Sequence, residues 1–111
     1  MADVYSTRFI AGTATAAGGA QPRADLNYTV PTGFRAVVRS ITTSPSGSGT
    51  ANPSITIQGL SYLYRRSDLA AGTSDHLECN QVVNGGEVLS CFCEIGSAFF
   101  TVSGFLLSEV P

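Results

Sequence analysis

The sequence predicts an all-β fold: one domain over residues 1–111, an antiparallel β-sandwich or jelly-roll-like domain of about seven strands. Three observations support this. Val, Ile, Thr, Phe and Tyr gather in short runs separated by Gly, Pro, Ser and Asn. No run of about ten residues or more carries the 3.6-residue periodicity of an amphipathic helix. The chain has 111 residues, 43% of them hydrophobic, which suits a single modest core.

The strand candidates follow one another along the chain: "DVYSTRFIAG" (3–12), "DLNYTV" (25–30), "FRAVVRSITT" (34–43), "SITIQGLSYLYR" (54–65), "HLECNQVV" (76–83), "EVLSCFCEI" (87–95) and "AFFTVSGFLLSEV" (98–110). Between them, "TAAGGAQPRA" (15–24) and "SPSGSGTANPS" (44–54) are loops rich in small residues, the second a mobile surface loop. That loop lacks the G-K-[ST] of a phosphate-binding loop, and the chain has no lysine. "RRSDLAAGTSD" (65–75) reads as a turn or a single helical turn capped by Ser67. No repeat or second domain is evident.

Composition narrows the function. The net charge of −2 provides no basic footprint for nucleic acid. No apolar stretch approaches the ~20 residues of a membrane span, so no membrane partner is expected. The opening "MADVYSTRF" carries Asp3 where a signal peptide would carry positive charge. The expectation is a protein made and folded in a reducing cytoplasm, where three cysteines do not form a disulfide framework.

All three cysteines lie in "CNQVVNGGEVLSCFC" (79–93), with the single histidine, His76, just upstream. "VVNGGEV" is a hairpin signal. A three-residue Asn84-Gly85-Gly86 loop would pair Val83 with Glu87 and Cys79 with Cys91. Leu77, Cys79, Gln81, Val83, Leu89, Cys91, Cys93 and Ile95 then share a mostly apolar inner face, and His76, Glu78, Asn80, Val82, Val88, Ser90, Phe92 and Glu94 share a mixed outer one. Four zinc ligands must converge at about 2.0–2.3 Å. Side chains on opposite faces of a strand cannot do so, and neither can cysteines two apart on an extended strand, with Cα atoms ~6.5 Å apart. No metal or other cofactor is expected, and the cysteines read as core. A Cys79–Cys91 disulfide would be strained, and a reducing compartment disfavours it.

No catalytic residue is expected. A Ser-His-Asp triad would have to use His76 with Asp75 or Asp68, but there is no G-x-S-x-G elbow. Glu78 and Glu94 could pair as glycosidase acids, yet a chain without tryptophan makes a poor sugar cleft. Arg65-Arg66 reads as surface charge or an interface contact.

Two segments suggest contact surfaces instead. Tyr62 and Tyr64 would share one strand face with Leu60. The last strand is apolar on both faces, with Phe99 and Phe105 on one and Phe100, Val102 and Leu106 on the other. A half-exposed antiparallel strand should alternate apolar with polar. Arg35 and Arg39 also share a face with Val37 and Ile41, giving a mixed surface. Tyr62, Tyr64, Phe99, Phe100, Val102, Phe105 and Leu106 are therefore the candidate interface residues, and a homo-oligomer is expected.

"YTVPTGFRAVVRSITT" (28–43) and "NGGEVLSCFCEIGSAFFTVSGFLL" (84–107) together resemble small virion proteins of tailed bacteriophages, the minor tail or minor structural proteins. Val30, Pro31, Gly33, Arg35, Ala36, Val37, Val38, Arg39 and Ile41 carry the first block. Gly86, Glu87, Leu89, Val102, Ser103, Gly104, Leu106 and Leu107 carry the second. These are turn and strand residues. The resemblance implies a non-enzymatic structural protein in the virion, associated with the tail and with other virion proteins. Two alternatives stay open: a capsid decoration protein, and a host-adhesion module that binds a host-surface glycan. The glycan alternative would need Tyr62, Tyr64 or Phe34 to line one exposed groove. Pro31 and Gly33 would turn the chain, and Gly104 would mark a kink or a close backbone approach.

Overall fold

The computed structural model describes residues 4–18 and 23–108, which form eight strands and no helix. They are β1 (Val4–Thr15), β2 (Leu26–Thr29), β3 (Phe34–Pro45), β4 (Pro53–Ile57), β5 (Ser61–Arg65), β6 (Asp75–Asn84), β7 (Val88–Cys93) and β8 (Ser97–Ser108). The predicted strand ends at 3, 109 and 110, and positions 19–22 of the first loop, lie outside the described residues.

Two four-stranded antiparallel sheets face each other, with orders β1-β8-β3-β6 and β2-β7-β4-β5. The pairs β1·β8, β2·β7, β3·β6 and β4·β5 are all hydrogen-bonded, as if one long hairpin had been wrapped on itself. This is the jelly-roll order, so the predicted sandwich is borne out, with eight strands rather than seven. The extra strand comes from splitting 54–65. Gln58 and Gly59 both take positive φ, 57° and 67°, and the Leu60 amide donates to the Ile57 carbonyl at 3.0 Å. Positive φ at both central positions matches a primed hairpin turn. Residues 66–74 contain no helical turn. They are pinned instead by the Ala51–Leu69 bridge, which buries both side chains.

The same wrapping overturns the cysteine hairpin. β6 belongs to one sheet and β7 to the other. The Asn84–Glu87 turn does form: the Glu87 amide donates to Asn84 O at 3.0 Å, with Gly86 at φ 87°. It carries the chain across the sandwich rather than back along β6. The Pro31–Phe34 turn packs against it, so that a Cβ on Gly85 would lie 2.8 Å from the Phe34 carbonyl oxygen. Cys91 therefore pairs with Leu26 and Ile55, and not with Cys79. The face assignments survive only in part: Leu77 and Ile95, expected inside, are 37% and 54% exposed. Val83, Leu89, Cys91 and Cys93 are fully buried, and Cys79 packs partly buried against the core.

Bulges explain the mixed faces. Phe9 on β1 and Arg39 on β3 are extra residues at one level of the sheet, both opposite the Val102–Gly104 stretch of β8. Each bulge shifts the inside-outside alternation by one. On β3, Ala36 and Val38 point inward before it, and Ile41 and Thr43 after it. Ile41 thus does not share the outer face with Arg35 and Val37, contrary to simple alternation. Gly104 makes room for this bend: a Cβ there would collide with the Val37 carbonyl oxygen and sit 2.9 Å from the Arg39 nitrogen. The core between the sheets is built on Phe100, Val102, Ile41 and Val38 from one side and Leu89, Ile55, Cys91 and Cys93 from the other.

Candidate interaction surfaces

The groups that could have carried chemistry are dispersed. Cys91 and Cys93 are buried, and loss of water around them pushes their pKa values up to about 12 and about 11. Cys79 is half-buried, its thiol donates to the Val38 carbonyl at 3.4 Å, and burial raises its pKa too. His76 faces outward from β6, sharing a hydrogen bond with Thr42 Oγ1 at 2.8 Å, with its Nε2 3.7 Å from Glu78. Asp75, next to His76 in the chain, is taken by Tyr64, whose hydroxyl donates to it at 2.6 Å. Glu78 lies on the β1-β8-β3-β6 sheet and Glu94 beyond the end of β7, so the two acids do not meet. Among the described residues no three His, Cys, Asp or Glu side chains gather to hold a metal ion.

The interface candidates separate into two groups. Phe100 and Val102 face the core and are covered by the opposite sheet of the same chain, and Leu106 packs against that core. They are therefore not contact residues in the folded chain. Tyr64 is also interior. A bulge at Leu63 pairs Tyr64 with Ile55 and Tyr62 with Thr56, so the two tyrosines point to opposite faces, not the same one. Phe99 and Tyr62 stay outside, each 52% exposed, and Phe105 is half-buried on the outer face of β8.

Phe105 belongs to an apolar row that crosses three strands. It pairs with Val37 on β3, which pairs with Val82 on the edge strand β6. Val82 is 44% exposed. Leu107 follows in the next outward position. Arg39, extruded by its bulge, lies 5.8 Å from the Phe105 ring centroid. Nothing in the described chain covers this face. Val37 and Val82 were not among the sequence candidates. Their signal was the alternation Val37/Arg39 and Val82/Asn84, which can only be read once the bulge and the β3·β6 pairing are known.

The outer face of β2-β7-β4-β5 differs in character. A shallow cavity of about 290 Å3 is lined by Arg23, Asp25, Thr56, Tyr62, Ser90 and Phe92, among others. Arg23 makes two 2.9 Å hydrogen bonds to Asp25 and lies 4.7 Å from the Phe92 ring centroid. Arg65 lies 5.0 Å from the Tyr62 centroid and 3.6 Å from Glu94. Both aromatic rings are thus already stacked by guanidinium groups. Of the three aromatics a sugar groove would have used, only Tyr62 lines this cavity. Tyr64 is buried and Phe34 sits on the other sheet.

No family model and no curated protein sequence matches the chain. Among solved structures it is similar to a chain in the structure of infectious bursal disease virus, Gx strain, with 14% identity and a TM-score of 0.49. That alignment covers 98% of this chain and 33% of the viral one. It is also similar to the exo-β-1,3-galactanase of Phanerochaete chrysosporium solved with galactose, with 10% identity and a TM-score of 0.35. There it covers 96% of this chain and 29% of the enzyme. This chain therefore spans a third or less of either, and at such identity the likeness concerns strand layout alone.

Proposed function

We propose that the chain is a non-enzymatic structural protein of a tailed-bacteriophage virion, seated in the tail and assembled there through the outer face of its β1-β8-β3-β6 sheet. The observation that carries this reading is the uncovered apolar row Val82–Val37–Phe105 on a chain with only 13% charged residues. An apolar patch of this kind on a small domain marks a contact surface. The residues that carry the resemblance to phage minor tail proteins support it, because they make the fold. Val30, Ala36, Val38, Ile41, Leu89 and Val102 are buried, Gly33 turns the chain at φ 88°, and Gly104 admits the bulge. The non-enzymatic part rests on the dispersal of His76, the carboxylates and the buried thiols.

Immunogold labelling of particles from the genome that encodes the chain tests this. Gold at the tail is the expected result. Gold spread over the head would favour the capsid-decoration alternative, and unlabelled particles would contradict a virion role. The glycan-adhesion alternative places its ligand in the Tyr62–Phe92 cavity. It would require saccharide binding that a Tyr62→Ala variant loses.

A further inference from the structure

We infer that two copies of this chain stack face to face on the β1-β8-β3-β6 sheet, about a two-fold axis running parallel to the strands between β8 and β3. This deepens the assembly reading above by naming the partner as a second copy, and it is independent of where in a particle the protein sits.

The register supplies the argument. At the level of the bulges, one outward row crosses the whole sheet: Arg8, Ser103, Ser40, Glu78. The two serines in the middle are small and bonded to each other at 3.1 Å. The two charges stand at opposite margins, both exposed, with the Glu78 side chain at 82%. Three strand spacings of ~4.8 Å keep them roughly 14 Å apart, too far to pair within one chain. An axis along the strands between β8 and β3 lays β1 of one copy over β6 of the other. Arg8 then faces Glu78 of the second copy, and the exchange happens twice, as an isologous contact requires. The same operation sets Phe105 over Val37 of the second copy, also twice. An in-plane axis perpendicular to the strands would instead oppose Arg8 to Arg8 and Glu78 to Glu78. Charge therefore selects the first axis. Arg35 and Arg39, both on the outer face of β3, are the like-charge cost in each copy, and Arg39 is held near the ring of its own Phe105, 5.8 Å from the centroid. Four strands at ~4.8 Å by about ten residues at ~3.3 Å give roughly 600 Å2 of sheet face. With projecting side chains this approaches the ~800 Å2 per partner of a standard stable interface.

Sedimentation equilibrium on the full chain tests the pairing through charge reversal. The unmodified protein should be a dimer. Arg8→Glu alone and Glu78→Arg alone should each weaken association by about tenfold or more, a change of ~1.4 kcal/mol or more. An equimolar mixture of the two single variants should recover the dimer, because each unlike pair is then attractive, and so should the double variant. Circular dichroism on each variant checks that the surface changes leave the fold intact. A monomeric or odd-numbered unmodified protein at ~100 μM would overturn the inference, as would single variants that dimerise like the parent, or a mixture that stays monomeric. None of these outcomes bears on gold labelling of the virion, so the two readings fail separately.

Discussion

At the scale of single residues, Tyr64 ties the two sheets together. It projects inward from β5, donates to Asp75 on β6 and accepts from Thr43 on β3, at 2.6 and 2.7 Å. The direction follows because the carboxylate can only accept, which leaves the threonine hydroxyl as donor. Thr43 is buried, so Tyr64→Phe would strand its hydroxyl. The expected cost is ~1–3 kcal/mol in urea unfolding at pH 7. Burial, with the hydrogen bond to Asp75, raises the Tyr64 pKa from 10.0 to about 12. A raised folded-state pKa stabilises fully below the unfolded value and is lost as pH climbs through the folded one. Stability should therefore fall between pH 10 and about 12, and the Tyr64→Phe variant should show a shallower fall. The thiols give a second check at this scale. At pH 8 a thiol reagent should label Cys79 slowly and leave Cys91 and Cys93 untouched until the protein is unfolded. Fast labelling of either inner thiol in the native protein would contradict their place in the core. The inward direction of these cysteines was legible from alternation alone. Their pairing was not, because a turn sequence such as Asn-Gly-Gly specifies a local reversal and says nothing of which sheet receives the next strand.

At the scale of elements, the bulged level of the β1-β8-β3-β6 sheet decides which side chains are available for contact. Gly104 is its hinge, and two alanine substitutions separate steric from conformational cost. At Gly33 the φ of 88° is strained for alanine but no atom lies within 4 Å of the new Cβ. Gly33→Ala should cost about 1 kcal/mol. At Gly104 the new Cβ meets backbone atoms of β3 that cannot rotate away. Gly104→Ala should cost roughly 3 kcal/mol or more, or prevent folding. Thermal unfolding of both variants would show the difference, and equal losses would mean that the bulge does not depend on Gly104. A glycine within a strand marked position 104 as a kink or a close backbone approach, yet alternation could not place the bulges at Phe9, Arg39 and Leu63. Each arises from pairing with a distant strand. They are the reason Ile41 and Tyr64 turn inward while Val37 and Tyr62 turn outward. The two-faced apolar character of β8 was readable in advance, and its inner half proves to be covered by the second sheet of the same chain.

At the scale of the whole molecule, the jelly-roll wrapping leaves arginine–aromatic stacks around a shallow cavity on the outer face of one sheet, and an uncovered apolar row among polar residues on the outer face of the other. In the proposed assembly the contact is this second face, centred on Phe105 and Val37. Sedimentation of two aspartate variants tests it most directly, because Phe105 and Phe100 lie on the same strand but on opposite faces. Phe105→Asp should sediment as a folded monomer with the circular dichroism of the parent, while the parent sediments as a larger species. Phe100→Asp places a charge among fully buried side chains and should lose the fold itself. A Phe105→Asp variant that stays in the parent's assembly, or a parent that is monomeric at every concentration tested, would contradict the claim.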